Sequence, residues 1–500
     1  MTNVILREGN ERDRKFTGLM RPTRSNRLIS LFIFHLILLM CLWPWTAGAS
    51  FTFEDERKLG KEFYDKLQKG NFLLSDEEAN SYVTLLGNRI LRHSEKVLFD
   101  FRFSIIKSSA INAFATPGGY VYLNQGLINL AENEAELAGI LAHEIAHVNG
   151  RHIAETIDKS TKLNISTLAA ILAGAFLGGG GDVTAAVTTF SIATAATLSL
   201  KYSREHEEAA DRAGLSYLVA AGYDGKAMLD FLKLMRQFEY YSNTIPSYFL
   251  THPGTDERSH YIDALLQTTY SRGGAEQIVG NLKRIQVILL LESKGADANL
   301  AYFRKELGEH PDDPDLLYGL AKTEDKLGMS REALDHFQKA LRITPEDPGI
   351  LRDLGIALFK LGQFENAAWN LRQAIQLRES DQNANLYLGK TLAALGDLQG
   401  ALNVYKNLDA KRPDDPDIQY DVAMVYGKMG RAGDSHYYFG LHFKKKGKMD
   451  SALFHFRAAL KNLPPSDPRA AEIKKEIDSD SVKSRGIHDP KNSGSDRPRL

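Results

Sequence analysis

Apolar residues are spread unevenly along these 500 residues, and their spacing divides the chain. An apolar run from Leu28 to Trp45, interrupted by Ser30, His35 and Pro44, follows a polar segment bearing Arg7, Arg12, Arg14, Arg21, Arg24 and Arg27. Thr46-Ala47-Gly48-Ala49-Ser50 comes next. A basic segment, an apolar core and a small-x-small site read as an export signal over residues 1–49, cut after Ala49. An uncleaved anchor is the alternative, with Pro44 ending the helix.

Beyond it, residues 51–98 alternate apolar and charged positions at helical spacing, and Phe101-Arg102-Phe103-Ser104-Ile105-Ile106 changes to a period near two. Tyr120-Val121-Tyr122-Leu123 does the same after Pro117-Gly118-Gly119, which predicts two strands around a turn. From Glu132 to about residue 270 the period is helical again. Residues 165–200 are almost free of charge and carry Gly178-Gly179-Gly180-Gly181 in the middle. They predict a buried helical hairpin; the alternative is a mobile lid.

A 34-residue period begins near residue 280. Leu320, Ala321, Gly328, Ala333 and Phe337 recur as Leu354, Gly355, Gly362, Ala367 and Leu371, and again as Leu388, Gly389, Gly396, Ala401 and Tyr405. Val422, Ala423 and Gly430 continue it; Gly440, Gly447, Ala452 and Phe456 repeat it with a half-unit offset. Paired helices at this period are tetratricopeptide repeats, which stack into a solenoid with a concave face suited to a protein partner. The polar tail, residues 467–500, predicts disorder.

Composition narrows the classes. With 62 Lys+Arg against 63 Asp+Glu, the chain lacks the basic excess of a nucleic-acid protein. Its single cysteine excludes a disulfide framework and a Cys-rich zinc module. That residue, Cys41, lies inside the apolar run, and Leu38-Leu39-Met40 before it lack the small residue a lipid attachment site needs.

The chemistry gathers in three patches. His143-Glu144-Ile145-Ala146-His147 follows a good helix sequence. Positions four apart share a helix face, so both imidazoles reach one metal ion, and Glu144 stands beside the water that the metal activates. That places Glu144 as general base and then acid. Ile140, Leu141, Ile145 and Val148 around the histidines make this a buried helix. A catalytic zinc needs a third protein ligand. Ser203-Arg204-Glu205-His206-Glu207-Glu208-Ala209-Ala210-Asp211 offers several. Glu207 and Asp211 lie four apart, so one carboxylate can bind the metal while the other holds a ligand histidine. Glu205, His206 and Glu208 compete for the ligand role. The third patch, residues 251–258, turns at Pro253-Gly254; His252 there can stabilise an oxyanion or reach the metal at rest.

Together the patches resemble the gluzincin metallopeptidases that include the bacterial heat-shock membrane protease and the CAAX prenyl protease. The resemblance implies one Zn2+ held by His143, His147 and Glu207, catalysis by Glu144 and His252, and Asp211 behind a ligand histidine. It also implies that residues 112–119 form the strand beside the motif helix, and that Gly119, Tyr120, Val121, Tyr122 and Leu123 offer an edge to substrate backbone. The implied fold is mainly α. A zincin-like α+β metallopeptidase domain with a small sheet, residues 50–275, precedes an α-solenoid of tetratricopeptide repeats, residues 276–466. The export signal and the repeats are similar to those of exported members of this family in Gram-negative bacteria. That similarity implies a periplasmic enzyme, or one anchored to the inner membrane, whose histidine matching His252 acts as a switch. Its substrates would be unfolded or stalled outer-membrane proteins whose assembly it also assists, and its repeats would bind substrate or the outer-membrane assembly machinery; the alternatives are mainly a chaperone or assembly scaffold with a latent protease, and a membrane-anchored quality-control peptidase. No nucleic-acid partner is expected.

Overall fold

The computed structural model of the protein describes residues 51–158, 163–177, 202–270, 273–412 and 415–486. The expected export segment and Gly178 to Gly181 lie outside them. Among the described residues, no helix is long and apolar enough to cross a membrane.

The period-two stretches form a three-stranded sheet: β1 (Arg102–Ile106), β2 (Ala113–Thr116) and β3 (Tyr120–Asn124). Its order is β1-β3-β2. β2 and β3 are an antiparallel hairpin, and β1 runs parallel to β3. The hairpin turns on Gly118 and Gly119, whose φ values of 86° and 92° lie where a side chain is strained. A side chain on Gly118 would also strike the Glu56 carbonyl oxygen at 2.7 Å.

This order corrects one expectation. The stretch 119–123 is not an edge. Tyr120 to Leu123 pair with β1 on one side and β2 on the other, and the Gly119 carbonyl accepts the Arg102 N–H. With both rows of backbone groups engaged, none is left for an added strand. Tyr122 is also fully buried, against Phe63 and Phe114. Among the described residues, the unpaired edge beside the motif helix is the outer side of β2.

The motif helix, Glu134–Asn149, is buried on nearly every side. Ala, Leu, Ile and Val lie on every side of it, as a central helix requires, and the buried polar residues Glu134, Glu136, His143, Glu144 and His147 are set among them. Asn133 caps it by accepting the Glu136 N–H, and the Glu136 side chain reaches back to the Glu132 N–H, a reciprocal cap. The helix Ile165–Leu177 buries Leu168, Leu172 and Phe176, and the Phe176 ring stacks on Phe114 of β2 at 4.5 Å.

From residue 282 the described residues are mostly helical. The pairs Pro314–Lys326 with Ser330–Ile343, Pro348–Lys360 with Phe364–Leu377, Gln382–Leu395 with Leu398–Lys411, and Pro416–Lys428 with Ala432–Lys445 repeat one design. Asp313, Asp347, Asp381 and Asp415, each 34 residues apart, cap the first helix of each pair with their side chains. The half-unit offset has a structural meaning. The helix Ala432–Lys445 closes the fourth pair and also opens a fifth with Met449–Asn462. A side chain on Gly440 would meet Phe456 at 2.4 Å, as one on Gly389 would meet Tyr405 at 2.6 Å.

The expected disordered tail is also corrected in part. Arg469–Gly486 is a helix, and Ile473 is buried in a cluster with Phe456 and Ala459. Ile473 and Ile477, four apart, give an otherwise polar segment one apolar face.

The repeats are fastened to the peptidase part by charge. Glu78, at the start of the helix Glu77–Leu91, lies 3.6–3.8 Å from Arg284, Arg352 and Arg378. Glu134, in the first turn of the motif helix, accepts the N–H groups of Ile278, Val279 and Gly280 and the hydroxyls of Tyr82 and Tyr223.

Candidate metal centre

Three helical segments deliver the site. The motif helix presents His143 and His147 one turn apart. The helix Arg204–Ala220, capped by the Ser203 side chain, presents Glu207 one turn in. It lies close against the motif helix because Gly214 has no side chain: a Cβ there would stand 3.0 Å from the His143 backbone nitrogen. The short helix Ser247–Thr251 ends at His252, whose N–H donates to the Tyr248 carbonyl.

The four side chains converge. Ligand atoms of His143, His147, Glu207 and His252 all lie within 4.8 Å of one another, and all four residues are buried. Nε2 of His143 is 2.9 Å from Nε2 of His147 and 3.3 Å from Nδ1 of His252. Oε1 of Glu207 is 3.4 Å from His147 Nε2 and 3.0 Å from His252 Nδ1. Around one ion with bonds of about 2.0–2.1 Å, tetrahedral corners lie roughly 3.3 Å apart. Three imidazole nitrogens and one carboxylate oxygen at such separations fit a metal ion in both chemistry and size. Glu205 and Glu208 are exposed, and His206 turns to Glu155, 3.2 Å away.

Asp211 lies behind His143, with Oδ1 2.7 Å from Nδ1. Arg258 grips the same carboxylate through Nε and Nη2 at 2.7 and 2.8 Å and reaches Glu207 at 2.8 Å. The Tyr261 hydroxyl also donates to Asp211. Burial alone would raise both carboxyls. Arg258 and His143 outweigh it at Asp211, and His252 and Arg258 outweigh it at Glu207, so both stay well below the usual range. Both are therefore ionised.

Glu144 differs. Both its oxygens are buried and lack a hydrogen-bond partner, and Oε1 lies 3.4 Å from His252 Nε2. Burial pushes its carboxyl up against the pull of His252 and His143. A raised, unpartnered carboxyl beside a ligand set is suited to taking and returning a proton.

Sequence reasoning left four residues of this site unassigned. Arg258 stood in the third patch without a role. Tyr202 packs on His147 with ring centres 3.7 Å apart, and Tyr248 stacks on His252 at 4.2 Å. Both tyrosine hydroxyls are buried without a partner. His152, five residues past His147, lies beside that ligand at 2.9 Å. The only signal for Tyr202 was its place one residue before Ser203, and His152 had none.

Comparison with known proteins agrees with this geometry. Residues 77–266 match the model of peptidase family M48, and residues 288–348 and 358–425 match tetratricopeptide repeat models. The chain is 32% identical over 270 residues to the putative beta-barrel assembly-enhancing protease of Vibrio cholerae, covering 52% of this chain and 54% of that protein. It is 30% identical over 214 residues to the beta-barrel assembly-enhancing protease of Escherichia coli, covering 43% and 44%. It is 27% identical over 214 residues to the mitochondrial metalloendopeptidase OMA1 of Schizosaccharomyces pombe, covering 42% and 61%. The chain thus matches about half the length of the beta-barrel assembly-enhancing proteases. Residues 77–266, with the histidine pair and Glu207 at their centre, are a metallopeptidase domain of family M48, and tetratricopeptide repeats follow it.

Proposed function

We propose that the protein is a zinc endopeptidase of the cell envelope that cleaves unfolded or stalled outer-membrane proteins, with the repeats binding substrate or the assembly machinery. The observation that carries the enzymatic part is the buried convergence of His143, His147, Glu207 and His252 beside the unpartnered carboxyl of Glu144. Zinc bound there supplies Lewis acidity to a water and to the scissile carbonyl. Asp211 orients His143, and Arg258 keeps Asp211 and Glu207 charged and aimed. Glu144 takes the proton of the attacking water and passes it to the leaving amine. The outer edge of β2 is the place for an extended substrate to add as a strand.

A cleft of about 950 Å³ along the seam between the two parts, lined by Lys107, Ile111, Phe238, Gln286 and Tyr302 among others, supports delivery of a polypeptide past the repeats. Export rests on the basic and apolar pattern of residues 1–49.

A latent enzyme with a scaffold role is the second reading. What favours it is His252, whose Nδ1 lies 3.3 Å from His143 Nε2 and 3.0 Å from Glu207 Oε1, close enough that it would hold the metal together with them.

The test is Glu144→Gln in the full chain. It should keep stoichiometric zinc and lose cleavage of an unfolded outer-membrane protein. Full cleavage by that variant would sink the mechanism. Rescue of an outer-membrane assembly defect by the same variant would favour the scaffold. N-terminal sequencing of the mature protein checks the cut after Ala49.

A further inference from the structure

We propose that His152 is a positioning residue for the metal ligand His147, fixing its ring by accepting a hydrogen bond at Nδ1; this rests on reading the four-residue cluster as a metal site.

The two histidines of the motif are supported differently. His143 presents Nε2 to the cluster and backs its Nδ1 with the Asp211 carboxylate at 2.7 Å. His147 presents Nε2 to the same cluster, 2.9 Å from His143 and 3.4 Å from Glu207. For Nε2 to offer its lone pair to a metal, the ring proton must sit on Nδ1. That nitrogen faces His152 Nδ1 at 2.9 Å, and both residues are buried. His147 Nδ1–H therefore donates, His152 Nδ1 accepts, and the His152 proton is on Nε2. A metal-ligating histidine commonly leans on a carboxylate, a carbonyl or water. Here one leans on a carboxylate and the other on an imidazole.

The backbone places His152 for this contact. In one continuous helix, residues five apart point about 140° apart around the axis and do not meet. The motif helix instead stops at Asn149, and Arg151 takes φ 55°, in the left-handed region. Arg151 is held in that conformation by Glu56, whose Oε1 accepts Nε at 2.7 Å and Nη2 at 2.6 Å. The chain turns there, and His152 opens the next helix with its ring beside His147. Its other face stacks on His206 at 4.5 Å, nearly parallel, and His206 is tied to Glu155. The ring is thus fixed by the turn at Arg151 and by stacking, with its Nδ1 aimed at the ligand.

The test compares zinc affinity of the full chain carrying His152→Leu, His152→Asn or His152→Gln, by competition with a chromogenic chelator. Asn places its side-chain oxygen where Nδ1 stands; Gln reaches the Nε2 position instead. The Leu and Gln variants should bind zinc roughly 10–100-fold more weakly than wild type, and Asn should restore most of the affinity. Thermal unfolding of the zinc-free proteins should be the same for all that fold, which separates positioning from a structural role. Should the Leu variant not fold, Asn against Gln decides. Wild-type affinity in the Leu variant, or equal affinities for Asn and Gln, overturns the proposal. Absence of stoichiometric zinc in the wild type overturns the metal reading itself, and this inference with it.

Discussion

His252 Nδ1 lies 3.0 Å from Oε1 of Glu207, although the two residues are 45 apart in the chain. The contact sets His252 at the fourth corner of the ligand set, with Tyr248 stacked on its outer face. A catalytic zinc needs an open fourth position, so in the latent reading proposed above His252 would have to leave the ligand set for turnover. His252→Ala should free that corner. The expected outcome is faster cleavage of an unfolded protein, on the order of tenfold, the scale of a bias of about 1.4 kcal/mol between closed and open states. Initial rates on a quenched unfolded substrate check it. A fall in rate would instead make His252 a catalytic group.

Arg258 pairs with two buried carboxylates at once. Removing one partner of a buried ion pair costs about 3–5 kcal/mol, because the other charge is left unpaired. Arg258→Met should destabilise the zinc-free protein by that order in denaturant unfolding. Arg258→Lys should recover only part of it, since an ammonium cannot grip Asp211 with two parallel hydrogen bonds as the guanidinium does.

Burial pushes the Glu136 carboxyl up to about 6, offset partly by the Glu132 N–H. Its folded value lies above its unfolded one. The contribution to stability is therefore fully present below about pH 4.5 and is lost as pH rises through about 6. Glu136→Gln keeps an acceptor for the Glu132 N–H and cannot ionise. Relative to wild type it should be close to neutral at pH 4.5 and more stable at pH 8, by on the order of 1–2 kcal/mol. Denaturation midpoints of both proteins at the two pH values check the sign.

Glu134 ties the segment entering the repeats to the motif helix through three backbone N–H groups. Glu134→Gln turns an amide toward those donors. Each buried group left unsatisfied costs about 1–3 kcal/mol. The expected outcome is a lower unfolding midpoint and faster protease nicking near residues 275–281, read by mass spectrometry of the fragments.

Much of this molecule was legible in its sequence because the signals were local. His143 and His147 share a face because a helix has 3.6 residues per turn, and the capping aspartates recur because each repeat restarts the same helix. The third patch was visible, but neither its geometry nor the role of Arg258 was. Arg258 acts across 47 residues on Asp211, and no spacing rule covers such a distance.

The sequence by itself determined the motif pair, the helical pairs with their 34-residue period, and the presence of a small sheet. These follow from backbone periodicity and from which side chains tolerate which turns. Only the tertiary structure decided that β3 is the central strand and β2 the edge, that Arg258 reaches both Asp211 and Glu207, and that a turn at Arg151 brings His152 to His147. Strand order, burial and ring-to-ring contact depend on atoms far apart in the chain, which hydrogen bonding and packing bring together and local pattern does not encode.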